Sequence, residues 1–267
     1  MPRPADSVVL LLIDGLRPDA LQQADTPHID RLMSTGSYTL QARSVVPALT
    51  LPCMTSICFS AEPAEHGVPT NRTARHDPSA PGIFDWLYAQ GLATAMFHNW
   101  APLKRLGHHT SFCQRTYVPN GKKPETDGRL ARLAAAHLQQ EDVAFALVYL
   151  GVTDEMAHAH GFLSRPYMDA IERADEAVGV VLEGIGRSVH ADRTAVFVAA
   201  DHGGHDKTHD GSVEEDLRVP LIVSGSGIPT GPIEQEVSII DIAPTVTNVL
   251  GLEPPPDWRG RAVGFNG

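Results

Sequence analysis

The chain has 267 residues, 42% of them apolar and 20% charged, an ordinary globular composition that can bury a sizeable core without disulfide staples. A formal net charge of −11 argues against an extended groove for nucleic acid, which needs a basic face; the acidity suits solubility or a set of carboxylates that take up divalent cations. Cys53, Cys58 and Cys113 form neither a disulfide framework nor a CxxC pair, which reads as reduced thiols in a cytoplasmic protein.

Residues 8–13 are a continuous β-branched and leucine run. It is too short for a signal peptide or a membrane span and reads as a parallel strand covered on both faces. Residues from Pro18 to about 35 read as a helix ending near Gly36, and 52–59 as the opening of another. A helix over 84–90 stops at Gly91, a short strand comes next over 93–97, and 130–139 is helical. Residues 143–150 form a second apolar strand, 167–185 a long amphipathic helix, 194–200 a third strand, 219–223 a fourth, and 239–250 a closing helix. The alternation predicts an α/β fold, a mostly parallel central sheet with helices on both faces, in a single domain over residues 1–267. The polar, Gly/Pro-rich stretches 69–81 and 107–128 read as loops, the second as a small insertion. With no apolar run of spanning length, neither membrane association nor export is expected.

In an open α/β sheet, ligands bind at the carboxyl ends of the strands, so the residues just past each strand are the informative ones. Asp14 comes directly after the first. Gly151-Val152-Thr153-Asp154 comes after the second, with His158 one helical turn beyond Asp154. Asp201-His202-Gly203-Gly204-His205 comes after the third, then His209. Singly, each is ordinary: an Asp after a strand is often a helix cap, and a loop histidine is usually a surface residue. Jointly they deliver carboxylates and imidazoles to one edge, enough for two sites of a kind that suits Zn, Mn or Fe better than Ca. The segment 46–56 holds three hydroxyls. Among them Thr50 precedes Pro52 near a predicted helix N-terminus, where phosphate is favoured; the alternative for Thr50 is a capping hydroxyl with no chemistry.

These segments resemble the alkaline phosphatase superfamily, in its nucleotide pyrophosphatase/phosphodiesterase-like branch. The similarity runs through Leu12-Ile13-Asp14-Gly15, Pro47-Ala48-Leu49-Thr50-Leu51-Pro52 and Glu65-His66-Gly67. It continues through Thr153-Asp154-Glu155-Met156-Ala157-His158, Ala200-Asp201-His202-Gly203-Gly204 and Thr208-His209-Asp210-Gly211 to Asp241-Ile242-Ala243-Pro244-Thr245. The resemblance implies a three-layer α/β hydrolase of phosphate esters with two divalent metals, zinc foremost. Asp14, Thr50, Asp201 and His202 would hold one metal, and Asp154, His158 and His209 the other. Thr50 would be the nucleophile, forming a covalent phospho-enzyme that water then hydrolyses. The last ligand lies between His205 and His209, and position in the loop favours His209. The family's Asn three residues after the nucleophile is here Cys53, a weak donor. Asn71, Asn99 or the backbone amides after Thr50 would then supply the contact to the phosphoryl oxygen.

A small-molecule phosphodiester or pyrophosphate is therefore the expected substrate, and the oligomeric state is left open. A phosphomonoesterase or phosphonate hydrolase is the alternative, with Arg72, Arg75, Lys104 or Lys207 as the extra positive charge that a dianion requires. A catalytically impaired metal-binding protein is the alternative of another class. A sulfatase is disfavoured because the C/S-x-P-x-R motif is missing: Thr50-x-Pro52 is followed by Met54, not Arg.

Overall fold

All seven residues of strand β1 (Ser7–Ile13) are buried. A strand apolar on both sides needs cover on both faces, which alternating strands and helices supply. The computed structural model describes residues 5–72, 80–119, 121–211 and 213–265. After β1 come α1 (Pro18–Leu21), α2 (Pro27–Thr35), β2 (Ser37–Arg43), α3 (Thr50–Phe59), α4 (Pro63–His66) and α5 (Ile83–Ala89). Next are β3 (Thr94–His98), β4 (Gln114–Tyr117), α6 (Thr126–Gln140), β5 (Phe145–Leu150), α7 (Val152–His160) and α8 (Arg165–Gly186). The chain continues with β6 (Thr194–Ala199), α9 (Glu214–Leu217), β7 (Arg218–Gly225), β8 (Gly231–Pro232) and α10 (Ile242–Val249).

The strands form one eight-stranded sheet in the order β4-β3-β5-β1-β6-β7-β2-β8. Strands β4, β3, β5, β1 and β6 are parallel, and β7 runs against both its neighbours, β6 and β2. The sheet is thus mostly parallel, with one reversed strand. Helices α2, α6, α7 and α8 pack with one another as one group, and α3, α4, α5 and α10 as a second. The register is the feature that matters for function. Ile13 of β1 stands opposite Leu150 of β5, and Leu12 opposite Ala199 of β6, so the three strands end level. The segments leaving these strands all emerge at one edge.

Several elements differ from the sequence reading for identifiable reasons. The helix expected over 18–35 is two. Pro27 has no amide hydrogen to continue a helix, so the chain turns after Gln22 and restarts with Pro27 in the first turn of α2. Helix α3 begins at Thr50, two residues before the expected start, with Pro52 still inside the first turn. Strand β2 was not legible, because its residues Ser-Tyr-Thr-Leu-Gln-Ala-Arg give only a partly alternating pattern on a half-covered strand. The stretch 107–128 is not an excursion from the fold. It contributes edge strand β4, whose alternating exposure is that of a sheet border, and the start of α6. Among the described residues no helix is long and apolar enough to cross a membrane.

Candidate active site

Each predicted ligand is placed by an element whose position has a local cause. Asp14 comes directly after β1, and Gly15 then turns the chain with a φ of +64°. A Cβ at Gly15 would stand 3.1 Å from Asp154 Oδ1, so both the turn and the close approach of the two loops require glycine. Asp154 and His158 share a face of α7 one turn apart. Asp201 and His202 lie after β6 in a loop held by Gly203 and Gly204 amides donating to the Asp216 and Glu215 carbonyls (2.8 and 2.7 Å). The same loop is tied further along by the Asp216 carboxylate, which accepts from the Gly211 amide at 2.9 Å and from His205 Nδ1 at 2.7 Å. His205 is thus engaged away from the centre, and His209 is the imidazole this loop delivers to it.

Two groups result. Ligand atoms of Asp14, Asp201 and His202 lie within 4.8 Å of one another, as do those of Asp154, His158 and His209. The groups adjoin: the His202 and His209 rings stack at 3.7 Å with 9° between their planes. Thr50 Oγ1 is 3.3 Å from His202 Nε2 at the start of α3.

The tautomers decide what this arrangement can hold. His158 Nδ1 donates to the Lys207 carbonyl at 2.8 Å, His202 Nδ1 to Gly203 at 2.9 Å, and His209 Nδ1 to Ala48 at 2.7 Å. A carbonyl only accepts, so each Nδ1 carries hydrogen and each Nε2 of the neutral ring presents a lone pair. Those lone pairs converge: His158 Nε2 is 3.1 Å from His209 Nε2, and His202 Nε2 is 3.2 Å from Asp14 Oδ1 and 3.5 Å from Asp201 Oδ2. Buried Asp14 Oδ1, Asp154 Oδ1 and Asp201 Oδ2 have no hydrogen-bond partner among the described residues. Three buried carboxylates and three inward lone pairs repel one another unless cations stand among them. The donor set fits two divalent ions with mixed oxygen and nitrogen ligands, and the backbone-oriented imidazoles are typical of metal-binding histidine.

Without metal, protons are the available counter-charge. The hydrogen bond to Asp154 drives His158 up to about 9. Burial opposes charge on His202, but Asp201 and Asp14 outweigh it and raise that ring to about 10. Burial, with the charge of His202, lowers His209. Burial and the neighbouring Asp14 hold Asp201 well above the carboxylate range, whereas the His158 hydrogen bond and nearby imidazolium charge overcome burial and lower Asp154. Cations that bind must therefore displace protons from His158 and His202, so affinity should strengthen as pH rises from 7 toward 9 with net proton release. A metal titration monitored with a weakly buffered pH indicator checks this; uptake without proton release at pH 7 would refute it.

Asp14, Asp154, His158 and His209 line a cavity of about 580 Å³ together with Thr50, Asn71 and Asn99, whereas Asp201 and His202 are fully buried and do not line it. Asn71 Oδ1 accepts the Leu51 amide at 2.8 Å, and among the described residues its NH2 group has no partner, a donor beside Thr50 in the cavity lining. The backbone amides considered from sequence are committed or missing: Leu51 donates to Asn71, Pro52 has none, and Cys53 donates to Leu49. Asn99 also lines the wall; one N–H of its Nδ2 is committed to buried Asp127 Oδ1 at 2.6 Å, and its Oδ1 has no hydrogen-bond partner among the described residues. Cys53 is fully buried, with Sγ 3.2 Å from Ser44 Oγ and 3.7 Å from the Pro47 carbonyl, and it does not line the cavity. The helical path of α3 carries position 53 to the inner side, which a linear motif does not reveal.

Lys104 and Lys207 are exposed, with Lys207 donating to the Ala159 carbonyl, and neither lines the cavity, nor does Arg72. Arg75 lies outside the described residues. The lysines that do line it, Lys122 and Lys123, were missed because they sit in an unpatterned polar stretch. Also missed was Tyr149, whose hydroxyl donates to Asp14 Oδ2 and whose pKa burial raises, keeping it a donor. It occupies β5 in an apolar run that reads as core alone.

Fold and site together define an α/β protein with two adjoining carboxylate–imidazole groups and a hydroxyl at the carboxyl edge of its sheet. The pattern of the type I phosphodiesterase / nucleotide pyrophosphatase family matches residues 8–222, and the chain belongs to that family, a branch of the alkaline phosphatase superfamily. It is 25% identical to ectonucleotide pyrophosphatase/phosphodiesterase family member 1 of Rattus norvegicus over 217 residues, covering 73% of this chain and 24% of the relative. It is also 25% identical to family member 7 of the same species over 219 residues, covering 73% of this chain and 49% of the relative. The chain thus spans about a quarter to a half of these relatives' length. Among solved structures, murine ectonucleotide pyrophosphatase/phosphodiesterase 5, an inactive variant in complex with AMP, superposes with a TM-score of 0.77 at 14% identity, covering 94% of this chain and 96% of that one. A 2-O GAG sulfatase superposes with a TM-score of 0.79 at 16% identity, covering 97% of this chain and 73% of that one. These two likenesses concern the fold.

Proposed function

We propose that the protein is a two-metal hydrolase of phosphodiesters or nucleotide pyrophosphates with Thr50 as nucleophile. The observation that carries this reading is the set of three histidines whose Nδ1–H groups are tied to backbone carbonyls while their Nε2 atoms face partnerless buried carboxylate oxygens. Asp14, Thr50, Asp201 and His202 would hold one cation and Asp154, His158 and His209 the other; bound there, divalent ions, zinc foremost with manganese or iron as alternatives, would lower the pKa of a hydroxyl and polarise phosphoryl oxygens. Thr50 Oγ1 attacks phosphorus, the leaving-group oxygen departs on the opposite side, and water hydrolyses the phosphothreonine in a second in-line step. Asn71 donates its amide N–H to a phosphoryl oxygen beside Thr50. Tyr149 and the Nδ1 anchors hold the ligands in place.

Trp100 and Tyr117, also in the cavity lining, give an aromatic surface for an organic substituent. This agrees with a small-molecule substrate better than with a polymer. The three cysteines are free thiols, the state a reducing compartment maintains, and cytoplasmic placement belongs to the same proposal.

Asn71→Ala is expected to lower kcat by about a hundredfold to a thousandfold, as loss of one oxyanion donor does. Steady-state hydrolysis of bis-p-nitrophenyl phosphate measures it. A change under threefold would remove Asn71 from this role. The same assay against p-nitrophenyl phosphate tests the preference for diesters; faster cleavage of the monoester would favour a phosphomonoesterase.

A further inference from the structure

Arg17 stands three residues beyond Asp14, outside both ligand groups, and only 12% of its side chain is exposed. Pro18 disfavours a helical conformation at the residue before it, and Arg17 stays extended, with φ −81° and ψ 138°, ahead of α1. Its backbone amide donates to the Tyr167 hydroxyl at 3.0 Å, and that hydroxyl donates to the Gly15 carbonyl at 2.8 Å. One side chain of α8 thus fixes the turn after β1 at two points.

The guanidinium is divided between two tasks. Nε and Nη2 donate to Oδ1 and Oδ2 of Asp19 at 2.9 and 2.7 Å, a two-point pairing that sets the plane of the fork. Nη1 then donates to the Gly204 carbonyl at 2.7 Å. Gly204 lies two residues beyond His202 and is confined by Phe162 as well: a Cβ there would stand 2.0 Å from Phe162 Cζ, and the Phe162 ring packs on Tyr167 with centroids 5.2 Å apart. Arg17 therefore joins the turn that follows Asp14 to the loop that carries Asp201 and His202. The Gly203 and Gly204 amides tie that loop to residues 215 and 216 ahead of β7, not to β1. A second link between turn and loop, from the Gly15 amide to Asp201 Oδ1, is long at 3.4 Å.

We infer that Arg17 is a positioning residue: by clamping the Gly204 carbonyl to the turn after β1, it sets the spacing of Asp14 against Asp201 and His202, and with it the affinity of that group for a divalent cation. This rests on the two-metal reading of the site. Thr50 Oγ1, 3.3 Å from His202 Nε2, depends on the same placement. Positive charge alone does not serve, because an ammonium lacks the planar fork that holds Asp19 at two points and still leaves a directed N–H for Gly204.

Zinc titration of the metal-free full chain against a competing chelator tests this. The His158→Ala background reads the Asp14 group alone, and the Asp14→Asn background reads the Asp154 group alone. Arg17→Gln should weaken zinc at the Asp14 group by about tenfold to a hundredfold, the usual cost of losing a contact that orients a ligand, and at the Asp154 group by no more than about threefold. Arg17→Lys should recover part of the loss. Asp19→Asn, which frees the fork at a half-exposed side chain and leaves the packing intact, should weaken the Asp14 group in the same direction and decides the matter should Arg17→Gln not fold. Hydrolysis of bis-p-nitrophenyl phosphate by Arg17→Gln should fall at limiting zinc and return to within about threefold of wild type in excess zinc, by mass action. Affinity at the Asp14 group within about twofold of wild type in both Arg17→Gln and Asp19→Asn would overturn the inference. So would equal weakening of both groups together with a lower Tm of the metal-free protein, the mark of a general loosening. Either result leaves the hydrolase reading standing, whereas a wild type that takes up no zinc and cleaves no diester would overturn both.

Discussion

Replacing Thr50 with alanine is expected to lower turnover of a phosphodiester by on the order of a thousandfold or more while the protein stays folded and keeps most of its metal. Thr50 Oγ1 lies 3.3 Å from His202 Nε2, beside the group of Asp14, Asp201 and His202, and Thr50 stands at the start of a wholly buried helix. Removing the hydroxyl deletes the proposed attacking atom without leaving a charge unpaired. Thr50→Ser keeps an oxygen and should retain part of the activity, which separates loss of the nucleophile from a packing defect. Two further readouts accompany the rates: metal content by elemental analysis and a phosphorylated Thr50 peptide trapped by rapid acid quench. Equal rates in wild type and Thr50→Ala would remove Thr50 from the mechanism.

The second large effect is that of metal removal on stability. Asp14, Asp154 and Asp201 are buried together, and three of their oxygens have no hydrogen-bond partner. Ions present at a thousandfold above their dissociation constant would stabilise the fold by about 4 kcal/mol, and at about 2–4 °C per kcal/mol for a chain of this size chelation should lower Tm by on the order of 10 °C. The gap should widen with pH. In the metal-free protein His158 and His202 are raised to about 9 and about 10, above an unfolded value near 6.5. Their stabilising protonation is complete below that unfolded value and is lost as pH climbs through the folded ones. Asp201, also raised, acts in the same direction. Thermal melts with and without chelator at pH 7 and pH 9.5 measure both effects. A Tm unchanged by chelation would show that these groups hold no structural charge deficit.

Much of the candidate site is visible in the sequence because parallel strands ending level turn linear order into spatial order. Asp14, Asp154 and Asp201 each come after an apolar run, and the pairing of β1 with β5 and β6 brings those ends to one edge. The i,i+4 spacing of Asp154 and His158 is likewise a statement about one helix face. The features that remained hidden depend on side-chain direction or on contacts between elements. Cys53 lies at a suggestive interval after Thr50 yet its Sγ sits against Ser44 Oγ. Asn99 is a candidate donor on composition, but one of its two amide N–H groups is held by Asp127, which lies 28 residues away in α6. Strand β2 is partly covered and alternates only in part, and β4, an edge strand with alternating exposure, has too few apolar residues for that alternation to register in the sequence. Lys122 and Lys123 gain their position from the loop resting on Asn99, which no local pattern encodes.

The most direct measurement is a crystal structure of metal-loaded protein with anomalous scattering collected at the absorption edge of the bound element. Two peaks are predicted, one coordinated by Asp14, Thr50, Asp201 and His202 and one by Asp154, His158 and His209, with Thr50 Oγ on the first. Peaks elsewhere, or none in protein shown by elemental analysis to carry two equivalents of metal, would contradict a two-metal centre at this edge of the sheet.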